Sequence, residues 1–358
     1  MQEIRHDKDY LSISPLFDDI ERLYKELSEP VKKKKTPLFV QPYDNTFLPI
    51  VKTFEKLSGH TFPHMEFEEQ TFPDLQLPQM DSKNIIVCYS GGKDSFSVIR
   101  HYQKQGYNVY AYHIKGLNKT YYDEWEVAEQ MARKLKIPLY IDSISYKGTH
   151  CWIEHPMKNM IMAIMALSWG IRNGISTKIA VGTFRTALID DVAFEVCAGD
   201  TMDMWKMFEE VIRKIIPSFQ MYIPNKNFQT AYNLLLKEPE YLPLTISCMT
   251  PNRFRNLFRK RTLKNYTIGL MPYRCGCCWK CATEYIWFCD KGVLEYNQAY
   301  YLHCLEVLLN NLEQETGYQI RDLNYVWNTY FFYSMKKSKA YKELQNAFIH
   351  GRKIKIAN

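Results

Sequence analysis

Two periodicities of hydrophobic residues alternate along the middle of the chain, between residues 84 and 216. Four short apolar runs are typical of buried strands, and they cover 84–89, 109–114, 139–141 and 178–182. Four longer segments carry apolar residues at helical spacing, and they cover 96–105, 122–135, 156–173 and 201–216. This alternation predicts an α/β fold with a doubly wound parallel sheet.

The pattern changes on either side of that core. Residues 16–27 predict an amphipathic helix, for which Ser14 and Pro15 supply an N-cap and a first position. Residues 42–80 have weak periodicity and predict an extended segment over the core, whereas 293–350 predict helices. We therefore divide the chain into an accessory region, an α/β domain, a cysteine-rich segment and a helical extension, which cover 1–83, 84–247, 248–290 and 291–358.

The amino-acid composition indicates which class of protein this chain belongs to. The chain has 358 residues, is 46% hydrophobic and carries a formal net charge of +7. This mild basic bias is compatible with nucleotide or nucleic-acid partners. No apolar run is long enough to span a bilayer, and the N-terminus lacks the pattern of a secretory signal. We therefore expect a soluble, cytoplasmic protein with no membrane contact.

A glycine-rich hexapeptide joins the first predicted strand of the core to its first helix. It consists of Ser90, Gly91, Gly92, Lys93, Asp94 and Ser95. Paired glycines let backbone N–H groups close around an anion, and the helix dipole adds favourable potential there. Lys93 supplies a cation, whereas Asp94 is suited either to capping the helix or to holding Mg²⁺. We predict a phosphate site over 90–95, with Lys93, Asp94 and Ser95 as its catalytic residues.

Cysteines are concentrated in the third region, where four of the ten in the chain fall between Cys275 and Cys281. Cys275, Cys278 and Cys281 are three residues apart, and Cys248 lies upstream. Four thiolates at such spacing predict a tetrahedral Zn²⁺ site. We expect Cys277 to face away from the metal. An iron–sulfur cluster and a set of buried free thiols remain alternatives at this point.

The hexapeptide resembles, residue for residue, the SGGxDS loop of the PP-loop ATP pyrophosphatase superfamily. The resemblance implies the nucleotide-binding α/β fold of that superfamily, with ATP and Mg²⁺ as cofactors. It also implies that the loop holds the β- and γ-phosphates while a substrate attacks the α-phosphate. His113, Gly182 and Thr183 stand at strand ends where the superfamily contacts its nucleotide, and they are further expected cofactor-binding residues.

The cysteine pattern carries a second resemblance, which covers residues 84–288. A Ser-Cys followed by Cys-Gly-x-Cys-x-x-Cys is similar to the zinc site of the 7-cyano-7-deazaguanine synthases, which are PP-loop enzymes. This chain departs from them in the long gap between Cys248 and Cys275 and in the residues that follow Gly182 and Thr183. A specialised relative from a phage or a defence system, acting on a deazaguanine, a protein or a nucleic acid, fits these departures.

Two charged segments are candidate contacts for the substrate. An acidic segment follows the fourth predicted strand of the core, at the edge of the sheet where α/β folds bind ligands. Its acidic residues are Asp190, Asp191, Glu195 and Asp200, expected to meet substrate or Mg²⁺. A basic segment at 253–264, with phenylalanines between its cations, is expected to contact a polyanion. Solvated surface charge is the alternative for both segments.

These features predict an ATP-dependent ligase that adenylates a carboxylate or amide, releases pyrophosphate and couples the product to nitrogen. The substrate is either a small molecule or a macromolecule. A PP-loop sulfur transferase or a sulfonucleotide reductase is the first alternative, although the chain end lacks the Glu-Cys-Gly segment usual in the reductases. A catalytically inert nucleotide-binding or nucleic-acid-binding module is the second. The sequence leaves the oligomeric state open, and a homo-oligomer is compatible with it.

Overall fold

The structure is a computed structural model, and its description covers most of the chain up to residue 316. The described residues are 15–27, 41–70, 75–115, 124–143, 157–183, 201–225, 229–246, 248, 250, 252–267, 269 and 273–316. The chain divides into two compact units. The first comprises 1–188 with 195–230, and the second comprises 189–194 with 231–358.

Strands occur in the first unit, where the described residues contain a pair of very short strands and a five-stranded sheet. The strands are β1 (Tyr43–Asp44), β2 (Phe67–Glu68), β3 (Asn84–Cys88), β4 (Asn108–Lys115), β5 (Leu139–Ser143), β6 (Lys178–Ala180) and β7 (Gln220–Tyr222). The larger sheet is entirely parallel and has the order β5-β4-β3-β6-β7. The chain therefore winds outward from β3 in one direction and then, from β6, in the other. The predicted doubly wound parallel sheet is confirmed.

Helices cover both faces of this sheet. The first-unit helices are α1 (Pro15–Leu27), α2 (Leu48–Ser58), α3 (Lys93–Lys104), α4 (Glu124–Leu135), α5 (Lys158–Arg172) and α6 (Met202–Ile215). Because βαβ crossovers are right-handed, the reversal of winding direction places α3 and α4 on one face and α5 and α6 on the other. The last strand, β7, was not predicted, because its sequence of Gln220, Met221 and Tyr222 is not an apolar run and none of the three residues is fully buried.

The accessory region adds a further layer to the first unit. Helix α1 packs on α5, and α2 packs on α6. The expectation of an extended segment over 42–80 was wrong for α2, which buries Ile50, Val51 and Phe54. Pro49 stands in its first turn, and Gly59 ends it in the left-handed conformation at φ 69°. These end signals were present in the sequence, but the many prolines and phenylalanines around them hid the short helical stripe.

The second unit is helical in its described residues. Its helices are α7 (Gln229–Lys237), which starts at the boundary between the units, α8 (Asn252–Asn265), α9 (Trp279–Asp290) and α10 (Gln298–Thr316). Helix α9 is buried along almost its whole length and packs against α10. Helix α10 confirms the predicted helical character of 293–350 over Gln298–Thr316, whereas 293–297 are not helical. The residues after 316 lie outside the described part of the chain. Among the described helices, none combines the length and apolar character needed to cross a membrane.

Candidate functional site

The hexapeptide follows the central strand, at the point where the winding direction of the sheet reverses. Strand β3 is buried from end to end and leads into Ser90, after which α3 begins at Lys93. Ligands of open α/β sheets bind at this reversal, beyond the carboxyl ends of the strands. Gly92 stands at the N-cap and offers no side chain to cap the helix. The first amide groups of α3 are therefore suited to donating hydrogen bonds to an anion.

The backbone at position 91 imposes two requirements that only a glycine meets. Gly91 is in the left-handed conformation, at φ 79°. A Cβ atom at this position would lie 2.9 Å from the backbone oxygen of Glu124, at the start of α4. A side chain would thus be strained by the backbone and would collide with the neighbouring helix, so a glycine is required for the turn.

The polar side chains of the loop hydrogen-bond to one another and to its backbone. The Ser95 hydroxyl donates to the Gly92 carbonyl oxygen at 3.2 Å, and it accepts from the Ser90 amide at 3.4 Å. The Lys93 ammonium contacts both Asp94 carboxylate oxygens, at 3.0 and 2.8 Å. The loop therefore holds a hydroxyl, an ammonium and a carboxylate beside the N-terminus of α3.

Gly182 packs directly against the loop from the neighbouring strand. It follows β6, and a Cβ atom there would lie 2.7 Å from the amide nitrogen of Ser95 and 2.9 Å from its Cα atom. No side chain fits into that space without moving the backbone of α3. This contact brings Gly182 and the hexapeptide together, and their shared role in binding a nucleotide stays a prediction. Thr183, the next residue, is partly exposed.

Asn225 fixes this contact and was not predicted. Its side chain, only 1% exposed, lies three residues after β7. The amide nitrogen donates to the carbonyl oxygens of Asp94 at 3.1 Å and of Gly182 at 3.3 Å, and the amide oxygen accepts from the Ser97 hydroxyl at 2.7 Å. One buried side chain therefore joins the first turn of α3 to the end of β6. No local signal marks it, because its partners lie far away along the sequence.

His113 lies at the same edge of the sheet, but its side chain is bound internally. The imidazole is buried, and its Nδ1 atom donates to the Tyr89 carbonyl oxygen at 2.8 Å. Burial lowers the pKa of His113 to about 4, so the ring is neutral at pH 7. Its side chain therefore ties β4 to the residue that precedes the loop.

Asp142 is a second residue of this edge that was not predicted. Its carboxylate accepts from the Tyr112 hydroxyl at 2.9 Å and from the Ser143 amide at 2.7 Å, and burial raises its pKa. An acidic residue at the carboxyl end of a predicted strand was the available signal. The predicted substrate residues Asp190, Asp191, Glu195 and Asp200 lie outside the described residues.

The second unit contains the four cysteines expected to bind metal. The Sγ atoms of Cys248, Cys275, Cys278 and Cys281 all lie within 4.8 Å of one another, and the group could hold a metal ion. Gly276, at φ 80°, turns the chain after Cys275. Cys278 is the N-cap of α9, and Cys281 lies in its first turn. The spacing of three residues thus places the thiols at a helix start, where the chain can fold back around one point.

Several donors surround the Cys275 sulfur atom. The Thr250 hydroxyl lies 3.0 Å from it, and the amide groups of Cys277 and Cys278 lie 3.4 and 3.3 Å away. Hydrogen bonds from the neighbouring thiols, Cys248 foremost, lower the pKa of Cys275. The expectation that Cys277 faces away was wrong, because its Sγ atom lies 3.7 Å from that of Cys275. The tight turn at Gly276 brings the two sulfurs together.

A buried ion pair supports the cysteine loop. Arg274, which precedes Cys275, forms a two-point contact with the Glu284 carboxylate, with one pair of atoms 3.1 Å apart. Its guanidinium also donates to the backbone oxygen of Thr245. Removing either partner would leave a buried charge uncompensated, so this pair fixes the loop to α9. Arg274 was not singled out in the sequence because no local pattern shows that its partner is Glu284, ten residues further along the chain.

The basic segment forms α8, between the first and second cysteines of the group. Arg255 is only 3% exposed, and its guanidinium reaches the Thr250 carbonyl oxygen at 3.5 Å. It is therefore directed inward and is unsuited to contacting a polyanion, although it was counted in the predicted contact at 253–264. Exposed cations of the same helix are Lys260, Arg261 and Lys264.

Comparisons with known proteins identify no family for this chain. No protein-family model matches the sequence, and no curated protein matches it. Solved structures do match, among them the crystal structure of a predicted subunit of tRNA methyltransferase from Methanocaldococcus jannaschii. That protein is 19% identical, the alignment covers 44% of this chain and 74% of that chain, and the TM-score is 0.28. A likeness at that level assigns no function to this chain.

Proposed function

We propose that this chain is a PP-loop enzyme that binds ATP at Ser90–Ser95 and cleaves it to AMP and pyrophosphate. One observation carries the proposal: the hexapeptide lies at the reversal point of a doubly wound sheet, with Gly182 packed on the amide of Ser95. The loop, the helix start and the neighbouring strand thus provide a preformed cradle for phosphates.

In this proposal the groups of the loop have different roles. The amide groups at the start of α3 and the Ser90 and Ser95 hydroxyls donate to the β- and γ-phosphates. Lys93, already positioned beside the helix start, offsets the charge that develops on the pyrophosphate leaving group. The Asp94 carboxylate offers the oxygen ligands that Mg²⁺ prefers, and Mg²⁺ would supply further neutralisation of the phosphates when bound.

The chemical step is an in-line displacement at the α-phosphorus. A carboxylate or amide oxygen of the substrate forms a bond to this phosphorus, while the bond from phosphorus to the α,β-bridging oxygen breaks and pyrophosphate leaves. From an adenylated carboxylate, a nitrogen nucleophile attacks the activated carbon, and AMP leaves with the oxygen it gained. From an adenylated amide, the nitrogen loses its protons and AMP leaves with the amide oxygen, which gives a nitrile. The loop holds the phosphates in place so that the attacking and leaving oxygens stay in line.

The environments of the cysteine thiols favour a nitrogen nucleophile over a sulfur nucleophile. Four thiols converge on one point, and in this proposal they bind a metal ion and are not available as nucleophiles. Cys88 and Cys304 are buried, and burial raises the pKa of both thiols. A thiol with a raised pKa is a poor nucleophile at neutral pH. For these six cysteines, the arrangements favour amidation or nitrile formation over sulfur transfer.

Within the superfamily, we propose that the chain is a specialised relative of the 7-cyano-7-deazaguanine synthases. The four converging thiols support this assignment, because they match the Cys-Gly-x-Cys-x-x-Cys pattern with an upstream cysteine. Four thiolates around one metal leave no open position, so the bound ion would be a structural Zn²⁺. Helix α8 is inserted into this pattern and distinguishes the chain from a minimal synthase.

A substrate screen with a loop variant tests the proposal. Pyrophosphate release is measured with a panel of carboxylates and amides, deazaguanine carboxylates among them, each with ATP, Mg²⁺ and ammonia. We expect release with one chemical class, and we expect Ser95→Ala to abolish it while the fold and the zinc content stay unchanged. Release that is equal in Ser95→Ala and wild-type protein would show that the loop is not the site.

A further inference from the structure

Helix α8 has an inner face that is anchored on the cysteine group. Phe258 packs against this group, and the Thr262 hydroxyl donates to the Cys275 carbonyl oxygen at 3.2 Å. Arg255 lies on the same side of the helix, held by the Thr250 carbonyl oxygen. These residues recur at helical spacing and fix the orientation of α8. The opposite face is therefore presented to solvent in a defined orientation.

The outer face combines cations with exposed apolar side chains. Four exposed residues follow the i, i+3, i+4, i+7 spacing of one helix face. They are Leu257, Lys260, Arg261 and Lys264. Phe254 extends this face toward the start of the helix. In the described residues, the exposed large apolar side chains are Phe254 at 40%, Leu257 at 47% and Leu263 at 36%, and all belong to α8.

The charge of this segment is of one sign. No acidic residue occurs between Cys248 and Cys275, so no carboxylate of the insertion offsets its cations. A partner that fits such a face is a polyanion that also offers apolar surface. Single-stranded nucleic acid has both properties, because its phosphates attract cations and its unpaired bases stack on aromatic side chains.

We propose that the outer face of α8 binds single-stranded nucleic acid. Lys260, Arg261 and Lys264 contact the phosphates, while Phe254 and Leu257 contact the bases. In a duplex the bases are stacked inside, so the exposed apolar side chains would have no partner there. An anionic membrane is disfavoured because Leu263 points away from Phe254 and Leu257, whereas a membrane-bound helix gathers its apolar residues on one face. This binding activity is additional to the proposed ATP chemistry and does not depend on it.

Fluorescence anisotropy with labelled RNA and DNA single strands of roughly 16 nucleotides tests the electrostatic part. The full chain is compared with the triple variant Lys260→Ala, Arg261→Ala, Lys264→Ala over a salt titration. The matched control replaces three exposed lysines of the first unit, Lys56, Lys206 and Lys214, with alanine. We expect the α8 variant to lose about tenfold or more in affinity at low salt, and its salt slope to fall by about 2.

The control variant, which loses the same charge, should bind as the wild type does. Equal weakening in both triple variants would overturn the proposal, because binding would then follow net charge alone. So would wild-type protein that binds no single strand at all. Zinc content and thermal unfolding are measured for every variant, so that loss of folding is recognised.

A second variant tests the contact with bases. Phe254→Leu keeps an apolar side chain next to Phe258 but removes the aromatic ring. We expect weaker binding of single strands, by roughly fivefold or more, with an unchanged salt slope, since stacking releases no counterions. Equal affinity of wild-type protein for duplex and single strands would overturn the assignment. Tighter binding to anionic phosphatidylserine vesicles than to oligonucleotides would assign the face to a membrane and overturn it too.

Discussion

The amide nitrogen of Asn225 lies 3.1 Å from the backbone oxygen of Asp94, although 131 positions separate the two residues. The same nitrogen donates to Gly182, and the amide oxygen accepts from Ser97. A side chain that follows the last strand of the sheet thus connects the helix start after the central strand with the loop after β6.

Replacing Asn225 should weaken nucleotide binding through the position of α3. Asn225→Asp keeps an acceptor for Ser97 but places a carboxylate against two carbonyl oxygens. We expect a loss of roughly 1–3 kcal/mol in the free energy of unfolding and a higher Kd for a non-cleavable ATP analogue, measured by calorimetry. Asn173→Ala, at the end of α5, is the control and should leave the Kd unchanged. An unaltered Kd in Asn225→Asp would show that the loop needs no such support.

Gly182→Ala should distort the phosphate loop by steric contact alone. The added methyl group would lie 2.7 Å from the Ser95 amide nitrogen, so the start of α3 must shift. We expect weaker ATP binding and slower pyrophosphate release. Gly269→Ala is the matched control, since a Cβ atom there meets nothing within 4 Å. If the two alanine variants bind ATP equally well, then Gly182 does not limit the geometry of the site.

The cysteine group should hold one Zn²⁺ per chain and require it for folding. Cys278→Ser removes a ligand, so we expect loss of zinc and of soluble protein, because metal binding energy is folding energy in such sites. Cys277→Ser should retain the metal. Thr250→Val removes the hydroxyl that donates to Cys275 and should lower the zinc affinity by about tenfold or more. Elemental analysis that finds iron, or zinc retained in Cys278→Ser, would contradict the assignment.

Buried His113 should make the protein less stable in mild acid. Its folded pKa of about 4 lies below the ordinary value of 6.5, so the unfolded chain binds a proton more readily between these values. Stability should therefore fall as the pH falls from 6.5 to 4, by roughly 3 kcal/mol for this group. His113→Asn keeps a donor for Tyr89 and should flatten this dependence in denaturant titrations. His60→Asn, at an exposed site, should not, and identical profiles for all three proteins would refute the role of burial.

Contiguous features of the site could be predicted from the sequence, whereas long-range contacts could not. The residues of the phosphate loop are neighbours in the chain, and the cysteines show metal spacing. Asn225 acts through backbone atoms far away in the sequence, which no local pattern indicates. Arg255 was grouped with exposed cations because composition does not reveal which face of α8 is directed inward. The contacts of Phe258 and Thr262 with the cysteine group determine that face.

The most direct test of the central claim is the identity of the nucleotide products. Wild-type protein is incubated with ATP, Mg²⁺, ammonia and the carboxylate or amide that supports pyrophosphate release, and the spent nucleotide is analysed by mass spectrometry. We predict AMP and pyrophosphate in equal amounts, with neither formed by Asp94→Asn or Ser95→Ala protein that retains its fold. ADP and phosphate as the main products would contradict cleavage between the α- and β-phosphates and, with it, the proposed function.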